Sequence, residues 1–388
     1  MAKRDKARMI ARESSPIGCD GGASPRPTLL GDVIGHEGPK LALHRAMSGG
    51  RVHHAWIFHG PPGVGKFTTA YAMAAALLDP TTAPGLTGEF VPQHESPVQR
   101  LCRAGTHPDL HVIGKELASL SREDSVRRSK QNNIAREVLL EFLIEPASRT
   151  RVLPGESLMG KAFIIDEAEL LDVRGQNTLL KILEEPTAGT IIILVTANED
   201  RLLPTIRSRS QRLAFGPLSD GEMDQWFARQ GITLDPARRA WTRSFAAGSP
   251  GMAAMAIACD LHAWHEQLTP IMEALGRGAF PPEAGATLAR LVNERAEADV
   301  KAKPDASKDG ANKAWGRRML AFLAEWQRSS LRATTSSSRA SASADTQTAR
   351  ALSAIEAIRA AEDHLAANVN MTLLFENLVA QLALEPEV

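Results

Sequence analysis

Apolar residues recur in two rhythms along this chain, and the rhythm changes after Phe215-Gly216-Pro217. Before that point, short segments with apolar centres at residues 54–59, 107–113, 161–167 and 190–196 read as buried strands. Stretches of helical spacing lie between them, at 40–48, 67–78, 134–144 and 176–185, the last stopped by Pro186. Residues 80–108, rich in Pro, Gly and Thr, read as loop. Wholly apolar strands alternating with helices predict an α/β fold with a parallel sheet and helices on both faces. Beyond residue 217 strand signals fade. Residues 219–275 are helical and Ala-rich, which suggests a small helical lid. Residues 276–388 are helical too, with Trp315, Met319, Phe322, Leu323 and Trp326 on one face. A Ser/Thr/Ala-rich linker is expected at 334–349, then helices at 351–367 and 371–384, with Asn370 as N-cap of the last. The expected boundaries are a tail at 1–27, an α/β domain at 28–216, a lid at 217–275 and a helical domain at 276–388.

Bulk properties exclude several classes. A chain of 388 residues has room for two or three domains. Its 45 basic and 45 acidic residues balance, so contact with nucleic acid or a membrane has to be local. Cys19, Cys102 and Cys259 form no CxxC pair, which indicates neither a disulfide framework nor a cysteine zinc site. No apolar run reaches the ~18 residues of a membrane helix. The tail carries Lys3, Arg4, Lys6, Arg8 and Arg12 without the apolar core of a secretory signal. A cytoplasmic location without a membrane partner is expected. The tail reads as a solvated disordered arm, with DNA contact as the alternative. Residues 119–133, with Arg122, Arg127, Arg128 and Lys130, read as a solvated loop or a phosphate-contacting patch, and no aromatics are interleaved.

Chemistry enters at Gly60-Pro61-Pro62-Gly63-Val64-Gly65-Lys66-Phe67-Thr68. The spacing of Gly60, Gly65 and Lys66 fits a phosphate-binding loop, which then requires Ser or Thr. Glycines let backbone N–H groups converge on phosphate oxygens, the following helix presents its positive end, and Lys66 would reach the β- and γ-phosphates. Phe67 stands where the magnesium-holding hydroxyl belongs. Thr68 is one residue further, turned by ~100° around the helix. ATP and magnesium are the implied cofactors, at a site degraded at Phe67.

Three further groups follow in order. Asp166-Glu167 ends an apolar strand, where the Asp would help hold magnesium and the Glu would polarise an attacking water. An acidic turn at a strand end is the plainer alternative. Thr196-Ala197-Asn198 ends the next strand, and Asn198 or Thr196 could sense a γ-phosphate or simply form a turn. Arg207-Ser208-Arg209-Ser210 could supply an arginine to a neighbouring subunit's transition state or be a basic surface turn.

Taken together, Ile164-Ile165-Asp166-Glu167-Ala168-Glu169, Asn177 through Pro186 (Asn-Thr-Leu-Leu-Lys-Ile-Leu-Glu-Glu-Pro) and Leu202-Leu203-Pro204-Thr205-Ile206-Arg207-Ser208-Arg209 resemble the AAA+ subunits of bacterial clamp loaders. These are the gamma/tau and delta-prime subunits of DNA polymerase III. The P-loop and His107-Pro108-Asp109 fit as well, and the resemblance is strong over residues 30–215. It implies an AAA+ module, a helical lid and a C-terminal helical collar. The implied partners are gamma/tau and delta in a hetero-pentameric ring, the sliding clamp and primer-template DNA. It also implies that Arg209 is a trans-acting arginine, although Ser210 replaces the Cys of the family's Ser-Arg-Cys motif. Glu167 is then the candidate for water activation, and Gly60, Gly63, Gly65, Lys66, Thr68, Asp166 and Asn198 are the nucleotide-site candidates. Only Cys102 remains of the family's four-cysteine zinc module, so no zinc is expected. In the lid motif, Gly248-Ser249-Pro250-Gly251-Met252 lacks the arginine that reads the γ-phosphate. A damaged cis site with an intact trans arginine fits delta-prime, with weak or absent ATPase activity of its own. The alternative is a gamma/tau-like ATP-hydrolysing subunit.

Overall fold

The computed structural model describes residues 28–50, 52–85, 88–128, 133–302, 308–336, 342–366 and 369–383. The basic tail expected at 1–27 lies outside them, as does Lys130 of the basic segment. Contacts divide the chain into two compact units. One reaches to Asp235 and includes Ala246–Ala258; the other comprises Pro236–Phe245 and the chain from Cys259 onward. The segment read as a lid thus contributes to both units.

The first unit is built on five strands: β1 (Ala55–His59), β2 (Leu110–Ile113), β3 (Lys161–Ile165), β4 (Thr190–Thr196) and β5 (Gln211–Ala214). Their order across the sheet is β2-β3-β4-β1-β5, and every pairing is parallel. All carboxyl ends therefore point to one edge, and in open α/β sheets ligands bind outside that edge. The strands are apolar on both faces for a visible reason. Trp56, Phe58, Ile164, Ile191, Ile193 and Val195 pack with the helix Lys66–Leu78 in one core. The alternate residues Ile57, Phe163, Ile165, Ile192 and Leu194 pack in a second core, which contains Leu179, Ile182 and Leu183 of the helix Val173–Glu184.

Several element boundaries differ from those expected. Residues 80–108 hold a short hairpin (Ala83–Pro84 with Phe90–Val91) and the helix Pro97–Arg103. Ser96 caps that helix by accepting from the Gln99 N–H, and Pro97 follows at the first helical position. The helix expected at 134–144 runs from Arg136 to Ser148, with a π turn at Leu140–Ile144. The helix expected at 176–185 spans Val173–Glu184, capped by Asp172 accepting from the Gly175 N–H. β5 was not legible: it is an edge strand with mostly exposed side chains, so no apolar alternation marks it.

The second unit is helical, with Leu261–Gly276, Ala284–Ala302, Lys308–Ser336, Ala342–Ala366 and Met371–Ala383 as its main elements. Trp315, Met319, Phe322 and Leu323 are buried as a face, whereas Trp326 is half-buried beside the His265 ring. Asn370 does cap the last helix, its Oδ1 accepting from the Thr372 and Leu373 N–H groups. The linker expected at 334–349 is a correction: residues 334–336 and 342–349 are helical. Its alanines carry the highest helix propensity, and serine and threonine cost little beside them.

Among the described residues, no helix is long and apolar enough to cross a membrane.

Candidate functional site

The loop between β1 and the helix Lys66–Leu78 sits at the carboxyl edge of the sheet. Gly60, Gly63 and Gly65 all have positive φ (139°, 72° and 113°), which side chains with a Cβ rarely adopt. Its carbonyls are held from within the unit. Lys66 Nζ donates to the Gly60 and Pro61 carbonyls at 2.7 and 2.6 Å. Ser249 Oγ donates to the Pro62 carbonyl at 3.0 Å, and the Gly251 N–H donates to the Gly63 carbonyl at 2.9 Å. His36 Nε2 lies 2.7 Å from the Val64 carbonyl. A Cβ on Gly251 would stand 2.7 Å from Gly63 Cα, so two glycines are what let the start of the helix Pro250–Ala258 touch the loop. Sequence reasoning noted Gly248–Met252 only for the arginine it lacks. Its glycine and serine turn out to brace the loop. Met252 itself packs with the apolar cluster of Met223 and Phe227.

Lys66 is 6% exposed, and burial pushes its ammonium down to about 8; Glu169 and then Asp166 oppose that shift. Glu169 was not among the expected site residues. Its Oε1 accepts from the Ala197 N–H at 3.2 Å, tying the turn after β3 to the end of β4. Phe67 packs against the core beside Tyr71, with ring centroids 6.2 Å apart. Thr68 is half-buried, and the hydroxyl of Thr69 is spent on the Gly65 carbonyl. The loop thus fits phosphates, with its glycine backbone and buried lysine. The magnesium ligand set fits poorly, because the hydroxyl at the start of the helix is an apolar ring and Asp166 is left as the carboxylate that could serve. Among the described residues, no group of three His, Cys, Asp or Glu is arranged to hold a metal ion.

Asp166 follows β3, its N–H donating to the Ile113 carbonyl. Burial, then the adjacent Glu167, pushes its carboxyl up to about 7. The folded state therefore keeps, between about pH 4 and 7, a proton that the unfolded chain has lost. Stability contributed here falls as pH rises through that window. Asp166→Asn is expected to raise stability at pH 8 by about 2 kcal/mol, a figure below the full shift because solvent reaches the group. The gain should vanish below pH 4. Urea unfolding at the two pH values checks this, and a gain equal at both would contradict it.

Glu167 does not stand free to polarise water. It has left-handed φ and ψ (50° and 47°), and its carboxylate pairs with Lys115 Nζ at 2.6 Å. Lys115, just past β2, carried no sequence signal. Asn198 is exposed, and its Oδ1 accepts from the Asp200 N–H, capping a short turn; Thr196 Oγ1 in turn accepts from the Asn198 N–H. His107-Pro108-Asp109 is architectural. The buried Asp109 carboxylate accepts from the Val152 and Leu153 N–H groups at 2.9–3.1 Å. Cys102 is buried and its thiol is pushed up to about 12 by that burial. Two arginines of the basic segment are paired locally: Arg122 with Glu145 at 3.0 Å, and Arg127 with Asp124.

Arg209 lies elsewhere. It precedes β5, whose Gln211 pairs with Trp56 and whose Ala214 pairs with His59. Arg209 is thus at the strand-start edge, and Gly60 is at the opposite, carboxyl edge. Arg209 itself ends the helix Pro204–Ser208, and the four strand residues Gln211–Ala214 lie between it and the carboxyl edge, roughly 10 Å. Its Nη1 donates to the Thr205 carbonyl at 3.1 Å, and its Nη2 pairs with Glu184 Oε1 at 2.8 Å. Arg207 pairs with Asp200 at 2.6 Å.

The family model described as DNA polymerase III, delta subunit, matches residues 35–219. Over these residues the chain is similar to the DNA polymerase III clamp-loader subunits. Over 185 residues the chain is 35% identical to DNA polymerase III subunit delta' of Pseudomonas aeruginosa, covering 47% of this chain and 49% of that one. Over 196 residues it is 29% identical to the delta' subunit of Bacillus subtilis, covering 50% and 52%. Over 216 residues it is 32% identical to subunit gamma/tau of Mycobacterium tuberculosis H37Rv, covering 55% and 33%. The matched segment therefore spans between a third and about half of these relatives. Among solved structures, a DNA polymerase III gamma subunit-related protein of Thermotoga maritima superposes with a TM-score of 0.41 at 15% identity, over 88% of this chain and 97% of that one. The loop described above thus sits in the segment that resembles clamp-loader subunits.

Proposed function

We propose that the chain is a delta-prime-like clamp-loader subunit, which helps load the sliding clamp onto primer-template DNA and lends Arg209 to a neighbouring subunit's ATP. One observation carries this: Arg209 lies before the start of β5, at the strand-start edge, with the whole of that strand (roughly 10 Å) between it and the edge that holds its own P-loop, so it faces away from a nucleotide bound there. The cis site supports the same division of labour. Phe67 removes a magnesium ligand, Met252 is packed in a core, and Glu167 is neutralised by Lys115. A nucleotide bound at the loop would be gripped by Lys66 and the loop backbone without being turned over efficiently. The partners are gamma/tau and delta in a five-membered ring, with residues 217–275 as lid and 276–388 as collar, and the place of action is the cytoplasm.

A gamma/tau-like motor is the second reading, and the buried Lys66 beside Asp166 favours it. Steady-state ATP hydrolysis by the purified chain separates the two. The delta-prime reading expects no turnover above background. Turnover that disappears in Lys66→Ala would replace it with the motor reading.

A further inference from the structure

We infer that Glu184 is the positioning residue for Arg209, holding the guanidinium at the strand-start edge until a phosphate anion from the neighbouring subunit takes the place of the carboxylate. The inference rests on the trans-arginine reading and adds to it the residue through which Arg209 is aimed.

Three observations carry it. The first is the geometry of the hold. Two contacts from two different elements fix the guanidinium: Nη1 to the Thr205 carbonyl, in the helix Pro204–Ser208 that Arg209 caps, and Nη2 to Glu184 at 2.8 Å, across on the helix Val173–Glu184. Guanidinium carries five N–H donors in a planar fork, so these contacts set its direction and leave donors to spare for an incoming oxyanion.

The second is the place of Glu184 on its helix. It is the last residue, where the dipole's negative end disfavours a carboxylate. Glu184 is therefore poorly placed for helix stability, and Arg209 is the cation that compensates it.

The third is exposure. The Arg209 side chain is 38% exposed and that of Glu184 is 51% exposed. A pair this open to water adds little net stability, so exchanging the carboxylate for a phosphate oxygen carries a small penalty. A buried pair would resist the same exchange. The chemistry is also matched, since carboxylate and phosphate offer the same kind of bidentate oxygen pair to an arginine.

The test uses the reconstituted loader, with the other ATP sites silenced by substituting their P-loop lysines. Wild type, Arg209→Ala, Glu184→Ala, Glu184→Gln and the Glu184→Ala/Arg209→Ala double variant are compared for kcat and KM for ATP at the site that Arg209 serves. Glu184→Ala is expected to lower kcat about 3- to 10-fold, leave KM within 2-fold, and cost nothing further in the Arg209→Ala background. Glu184→Gln, which keeps one acceptor oxygen, should recover part of the loss. A merely structural role would move the thermal midpoint of the isolated chain and multiply with Arg209→Ala. An unchanged kcat for Glu184→Ala, or a multiplicative loss in the double variant, overturns the inference while leaving the trans-arginine reading intact. If Arg209→Ala itself leaves the rate untouched, that reading fails and takes the positioning role with it.

Discussion

Arg209→Ala should abolish most ATP turnover at the neighbouring subunit's site while leaving the isolated chain folded. In related nucleotide hydrolases an arginine supplied in trans is worth about 10³-fold or more, because it meets charge that develops on the transferring phosphoryl group only in the transition state. The contacts that hold Arg209 contribute little to the stability of the fold. Its side chain is more than a third exposed, and its two contacts are a carbonyl in the short helix it caps and an exposed carboxylate. The thermal midpoint should therefore stay close to that of wild type. The measurement is single-site turnover in the reconstituted complex. The total steady-state rate falls only by that site's share unless the sites are coupled. A rate within 3-fold of wild type at the served site would show that the arginine is a surface turn and no more.

Gly60→Ala should destabilise the first unit by about 3–5 kcal/mol. Two penalties act together. Gly60 has φ of +139°, a conformation that is costly for any residue with a Cβ. A Cβ placed there would also lie 2.0 Å from the carbonyl oxygen of Phe215, whose N–H is bound to the His59 carbonyl. That oxygen belongs to backbone at the end of the edge strand and has little freedom to retreat, unlike the tip of a flexible side chain. Gly31→Ala is the control: it has open space around it and no positive φ, so its effect should stay within about 0.5 kcal/mol. Denaturant unfolding of both variants decides the matter, and a Gly60→Ala chain as stable as the control would mean that the loop is not packed as described.

These two residues show how unevenly the site could be read from sequence. The glycines of the loop were legible because their spacing is dictated by phosphate geometry. The sequence could not say that Gly60 is locked by the Phe215 carbonyl, 155 positions away, or that Gly63 faces Gly251. Asp166 and Glu167 are adjacent and looked like a catalytic pair. The backbone turns left-handed at Glu167, and its carboxylate pairs with Lys115, which lies just past β2. Glu169 lay two residues further on without drawing notice, because its significance comes from the Ala197 N–H and from Lys66. Asn198 shows the reverse. Its sequence allowed both sensing and turn formation, and its carboxamide oxygen is used as a cap.

The helical half was legible where apolar periodicity is strong and not where composition is bland. Trp315, Met319, Phe322 and Leu323 announce a buried face by spacing alone. The Ser/Thr/Ala stretch has no such period, and helix runs through residues 342–349 where a linker was expected.

Periodicity and spacing were thus enough to read the parallel α/β architecture and the loop's position in it, and they show a Phe after Lys66 and an Arg at 209. Those are local facts, written in periodicity and in the spacing of a few residues. Which groups meet is set by how the elements pack. That packing put Arg209 and Gly60 on opposite edges of one sheet, because parallel strands send all their starts one way and all their ends the other. It also paired Glu167 with Lys115 and Arg209 with Glu184. Pairings between elements distant in sequence leave no periodic trace, since either partner alone reads as an ordinary charged surface residue.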